Sequence, residues 1–106
     1  MYRKGYVGEY LIKNKLIKSY GKINVLKIAI SQEGSDFLVL RKGRLVKVVE
    51  VKETVKDKYY LSSKEKRQFE KIKEFAEEHG VPAELYIVYR KGRGKKTKID
   101  KEMLKT

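Results

Sequence analysis

From residue 3 to residue 20 the apolar side chains recur at helical spacing. Val7, Tyr10, Leu11 and Ile17 form one stripe, with Ile12 and Leu16 beside it. Gly21 follows as the helix stop. Residues 23–30, Ile-Asn-Val-Leu-Lys-Ile-Ala-Ile, are short and β-branched, and predict a strand. After the polar connection Ser31 to Ser35, residues 36–41 and 45–52 predict two more strands, with Lys42-Gly43-Arg44 as the hairpin loop.

The second helix is marked at both ends. Ser62 and Glu65 have capping-box spacing, in which hydroxyl and carboxylate each satisfy a backbone N–H of the first turn. That makes Ser62 and Ser63 caps rather than nucleophiles. Phe69, Ile72, Phe75, Ala76 and His79 continue an apolar stripe, and Gly80 with Pro82 ends it. His79, in the last turn, complements the helix dipole and is assigned no chemistry. Residues 84–89 predict a fourth strand, and a last short strand or turn involves Ile99. The order α-β-β-β-α-β predicts an α/β fold with a mixed central β-sheet flanked by helices.

With 106 residues the chain predicts a single domain, 1–106, and its 41% hydrophobic content is enough to build a core. No Cys and one His exclude a disulfide framework, a thiol nucleophile and a multi-His or Cys-based metal centre within one chain, so any metal here is a hard, oxygen-bound ion. The start of the chain has no apolar targeting segment, and no apolar run is long enough to span a bilayer. A soluble cytoplasmic protein with no membrane partner is expected.

Charge narrows the partner. Twenty-seven Lys+Arg against fourteen Asp+Glu leave +13, a positive field whose usual partner is nucleic acid. Two Asn, two Gln and many Lys and Glu suggest a thermophilic composition, but thermophile networks pair both signs and do not explain the surplus. Six of the nine residues from Arg90 to Lys98 are basic and two are glycine. This loop and tail, 90–106, and the basic arm, 1–5, are the expected phosphate contacts. Tyr59 and Tyr60 either stack on exposed bases or pack in the core or an interface.

A few charges lie where they are costly. Glu50 and Lys52 are two apart on one strand, hence on one face. If Lys42 to Arg44 form a three-residue loop, Arg41 pairs with Leu45 and Asp36 falls opposite Glu50, β-carbons ~4.5–5.5 Å apart. A two-residue loop would put them on opposite faces, and the first register is expected. Facing carboxylates repel unless a cation lies between them. Mg²⁺ meets that need, and the Val51 carbonyl offers a third oxygen where the ladder ends. Lys52 then orients or deprotonates the attacking water, or stabilises charge on a phosphate. Glu9, on the line of Ile12 and Leu16, either reaches the metal or simply complements the helix N-terminus.

Asp36, then Glu50-Val51-Lys52 after a hairpin, resembles the D…(E/D)xK pattern of metal-dependent nucleases with a restriction-endonuclease-like core. The chain is more closely similar to archaeal Holliday-junction resolvases, over residues 1 to 90 and into the glycine-and-lysine tail. They too have an arm like Tyr2-Arg3-Lys4-Gly5, a helix glutamate like Glu9, a Gly/Ser-rich connection into a strand starting with Asp, and Glu-Val-Lys followed by a helix and a strand. The resemblance implies a homodimer that binds four-way DNA junctions and nicks two strands with Mg²⁺, or Mn²⁺ as substitute. It implies Asp36, Glu50, Lys52 and Glu9 as catalytic residues, and Asp36, Glu50, Val51 and Glu9 as metal ligands. DNA contacts are then expected from Arg3, Lys4, Lys27, Ser35, Arg90, Lys91, Arg93, Lys95 and Lys96. Two other readings fit the charge: a non-catalytic nucleic-acid-binding protein, and a sister nuclease acting on other DNA or RNA structures.

Overall fold

The computed structural model describes residues 6–28, 35–55, 58, 62–90 and 98–104. Helix α1 (Tyr6–Tyr20) leads through a 3₁₀ turn (Lys22–Asn24) into β1 (Val25–Ile28), β2 (Ser35–Arg41) and β3 (Arg44–Thr54). Helix α2 (Ser63–Glu78), β4 (Ala83–Tyr89) and β5 (Lys98–Leu104) follow. The strands form one five-stranded sheet in the order β1-β2-β3-β4-β5. Only β3 and β4 are parallel, and α2 is the crossover that joins them. The expected mixed sheet with flanking helices is thus present, and it is compatible with a restriction-endonuclease-like core.

The two helices cover opposite faces. Ile12 and Leu16 of α1 pack with Val25, Phe37, Val39, Val49, Val51, Tyr86 and Val88. Phe69, Ile72 and Ala76 of α2 pack with Val48, Ala83, Leu85, Ile87 and Tyr89. Alternate residues of β3 and β4 therefore serve different cores, and β4 is buried along its whole length.

The line of α1 that faces the sheet is Gly8, Ile12 and Leu16, with Ile12 fully buried, and Tyr10, expected in the stripe, lies 57% exposed. A β-carbon at Gly8 would stand 3.3 Å from those of Glu53 and Val88, so glycine lets the helix start close against the ends of β3 and β4. Gly21, at φ 94°, ends α1 as expected. The first strand starts at Val25 rather than at residue 23, because Lys22–Asn24 turns and leaves Ile23 exposed. The Ser62–Glu65 capping box is formed in both directions. His79 leaves the expected apolar stripe: it is the exposed C-cap, stacked on Phe75. The expected short strand or turn at Ile99 is a full edge strand antiparallel to β4. Tyr59 and Tyr60 lie outside the described residues.

The hairpin corrects one expectation and satisfies another. Arg41 pairs with Arg44 and Leu40 with Leu45, so the loop is the two residues Lys42 and Gly43, not three. Both have positive φ (53° and 78°), as a type I′ turn requires. A bulge then interrupts the ladder: Val39 pairs with Lys47, and Val46 is the extra residue. Beyond it the register is Leu38 with Val48, Phe37 with Val49, and Asp36 with Glu50. Leu45 packs towards α2, and Val46 packs towards α1. Asp36 still meets Glu50, through a bulge rather than a longer loop.

Candidate active site

The bulge sets which layer the charged residues enter. Because Val46 absorbs one position, Val48, Glu50 and Lys52 share the α2 face, where Val48 and Leu85 lie in the α2 core. Without it, the alternation from Leu45 would turn all three towards α1.

Glu50 is fully buried, and neither of its carboxylate oxygens has a hydrogen-bond partner. Its ion pair is with the Lys52 ammonium, 3.4 Å from Oε1. A buried carboxylate with so little compensation costs several kcal/mol in a low-dielectric interior. Such a group calls for an explanation, and a bound cation is one of the few chemically adequate answers.

Lys52 is fixed from α2. Its Nζ donates to Gln68 Oε1 at 2.9 Å and lies 5.8 Å from the centre of the Phe69 ring. Gln68 was not anticipated as a site residue. Its signal is an amide four residues before Ile72 and eight before Ala76, on the buried line of a helix. A neutral acceptor there orients the ammonium without adding a second negative charge.

Asp36 is placed by its backbone, opposite Glu50 on one side and Ile28 on the other. Ser35 pairs with Val51, the last pair between β2 and β3. The ladder therefore ends at Val51 on that side only, since β3 continues with β4 to Thr54. Glu9 is half-buried and pairs with Lys27 of β1. Lys27 is the cross-strand partner of Phe37, so the Glu9–Lys27 pair belongs to the α1 face, across the sheet from Glu50 and Lys52. It nonetheless lies at the same end of the sheet, since neighbouring Gly8 packs on Glu53 and Val88.

Arg90 extends the parallel ladder by donating its N–H to the Thr54 carbonyl at 2.8 Å. Its Nε is 2.8 Å from Glu53 Oε1, and the Glu53 side chain is only 6% exposed. The root of the basic loop is thereby tied one residue from Lys52. Arg3, Lys4, Lys91, Arg93, Lys95 and Lys96 lie outside the described residues. Among the described residues, no three His, Cys, Asp or Glu side chains form a metal-sized group, and no helix is long and apolar enough to cross a membrane.

A family model described as archaeal Holliday junction resolvase matches residues 1–106, the whole chain. The chain belongs to that family. Membership makes it a nuclease of the Holliday junction resolvase kind, with branched DNA as its substrate and DNA recombination and repair as its setting. Neither a curated protein nor a solved structure matches it.

Proposed function

We propose that the chain is a Mg²⁺-dependent endonuclease that resolves four-way junctions by paired phosphodiester hydrolysis, as a homodimer with one site per subunit. The observation that carries this reading is Glu50, a fully buried carboxylate without hydrogen bonds, beside Lys52 and in register with Asp36. Two oxygens with no donor fit a hard cation.

Asp36, Glu50 and the Val51 carbonyl would hold Mg²⁺, with Mn²⁺ as a substitute. Glu9 is the acid that α1 brings to this end of the sheet. When bound, the ion supplies a Lewis acid for the phosphodiester and lowers the pKa of a water. Lys52 keeps a positive charge 3.4 Å from Glu50, held there by Gln68, where it would orient the water and offset charge growing on the phosphate. Burial of Glu50 keeps bulk water from screening that charge. Arg90, anchored on Glu53, sets the root of the basic loop beside the site. Lys27, Ser35, Lys91, Arg93, Lys95 and Lys96, with Arg3 and Lys4 of the arm, would hold DNA phosphates. Each chain carries one such site, so cutting two strands at symmetric positions calls for two chains.

The test compares four-way junction, flap, duplex and single-stranded DNA, each with Mg²⁺ and with EDTA. The reading predicts paired nicks in the junction with Mg²⁺ and none in EDTA. Preference for a flap would favour the sister nuclease, and cleavage that persists in EDTA would overturn the metal assignment.

A further inference from the structure

A second charged cluster lies across the sheet from the site, on the α1 face, reaching from Arg41 at the hairpin to Lys101, which is level with Val51 through Tyr86. Its centre is an ion pair between Lys47 and Glu84, 2.8 Å apart, with side chains only 12% and 8% exposed. Burial works against the Lys47 charge, but the Glu84 carboxylate and the Tyr20 hydroxyl outweigh it and hold its pKa above the ordinary lysine value. Lys47 is therefore a cation under all ordinary conditions. Glu84 also receives a second cation, since Lys101 of β5 lies 3.4 Å from its other oxygen.

Two more cations are fixed around this pair by aromatic rings. Arg41 sits 5.3 Å from the centre of the Tyr20 ring, which also carries Lys47 at 5.0 Å. Lys15 of α1 sits 5.8 Å from the centre of the Tyr86 ring. Among the described residues, neither Arg41 nor Lys15 has an acidic partner. Four cations thus share one carboxylate, contributed by α1, β2, β3, β4 and β5. A network that served stability alone would pair its signs, because neighbouring like charges repel. Here three of the cations, Lys15, Arg41 and Lys101, are exposed and held in place, which is what a polyanion with closely spaced charges requires.

We infer that Lys15, Arg41 and Lys101 form a second phosphate-backbone contact, which holds an arm of the branched DNA other than the arm being cut. The inference rests on branched DNA as the substrate. Lys47 and Lys52 are five residues apart on β3, or ~17 Å at ~3.3 Å per residue, and they face opposite helical layers. A straight duplex lying along one face meets one of the two surfaces. A junction, whose arms leave in different directions, meets both. Contacts of this kind read no bases; they set orientation.

The experiment measures binding of a four-way junction and of a linear duplex of equal length, across a salt series. It uses the full chain and two charge-matched variants. One is Lys15→Ala with Arg41→Ala and Lys101→Ala. The other removes three scattered exposed charges, by Lys13→Ala, Lys66→Ala and Lys71→Ala. The first variant should weaken junction binding roughly tenfold or more and lower its salt slope by about two to three, with duplex binding nearly unchanged. The second should leave the junction preference intact. Equal losses for both variants, or equal losses on junction and duplex, would overturn the second contact. Wild type that shows no preference for the junction would instead overturn the substrate assignment, whatever the variants do. All six residues are exposed, and a thermal melt of each variant confirms that it folds.

Discussion

Asp36 is the cross-strand partner of Glu50, one position out of step with the turn that joins their strands. The turn fixes Arg41 opposite Arg44, and that register, carried on, would set Asp36 opposite Val49. The unpaired Val46 supplies the missing position. In this sequence both the pairing of Asp36 with Glu50 and the layer that Lys52 enters depend on Val46 staying out of the ladder.

Deletion of Val46 should therefore leave cleavage largely intact, because pairing carried on from Arg41–Arg44 then sets Asp36 opposite Glu50 with no bulge, and alternation from Leu45 keeps Glu50 and Lys52 on the α2 face. Junction cleavage beside circular dichroism checks this: a folded, active protein is expected, and loss of cleavage in a folded protein would mean that the bulge itself, rather than the register beyond it, sets the site.

The turn gives a stability prediction that leaves the chemistry alone. Lys42 has φ 53°, a conformation that costs a lysine about 1 kcal/mol and that asparagine tolerates better. Lys42→Asn should raise stability by a few tenths of a kcal/mol, whereas Gly43→Val should lower it by ~1–2 kcal/mol. Urea unfolding midpoints would show both.

Gln68 should act on rate rather than on binding. Gln68→Leu removes the acceptor 2.9 Å from the Lys52 ammonium while keeping the side chain's bulk. Single-turnover cleavage should slow ~10–100-fold, the range for losing the partner that orients a site residue, with junction affinity unchanged. Gln68→Glu would place a second carboxylate on Lys52 and should move the pH–rate profile; equal slowing at every pH would point to packing alone.

Alkaline pH should loosen the fold through the Lys47 cluster. Lys47 titrates above its ordinary 10.5, and burial raises Tyr86 above its ordinary 10.0. The folded state then binds more protons than the unfolded state in the window above those values, so stability is full below them and declines as pH rises through the folded pKa values. Glu84→Gln removes a cause of both shifts and should make the decline shallower. Unfolding midpoints at pH 8, 9.5 and 11 test the sign.

The elements announced themselves where one physical signal dominated. The Ser62–Glu65 box, the glycine stops and the β-branched runs each name a local geometry, and each led to the element found. The bulge left no such mark. Residues 45–49, Leu-Val-Lys-Val-Val, belong to a central strand buried on both faces, so alternation is blurred and an extra valine is invisible. β5 was hidden because four of its seven residues are charged, as suits an exposed edge. Ile23 misled in the other direction, a strand-forming residue spent on an exposed turn. At the candidate site, the shared face of Glu50 and Lys52 was legible from their two-residue spacing. The hydrogen bond between Gln68 and Lys52 was not, because it exists only once α2 lies across β3.

The most direct measurement is single-turnover cleavage of a four-way junction by Glu50→Gln, alongside Mg²⁺-dependent thermal stabilisation of the same protein. The substitution keeps shape and removes the buried charge. Cleavage should fall ~100–1000-fold or more, with junction binding retained. Wild type should gain about 2.7 kcal/mol of stability at Mg²⁺ a hundredfold above its Kd, and the variant should gain little. Full cleavage by Glu50→Gln, or equal Mg²⁺ stabilisation of both proteins, would contradict the account.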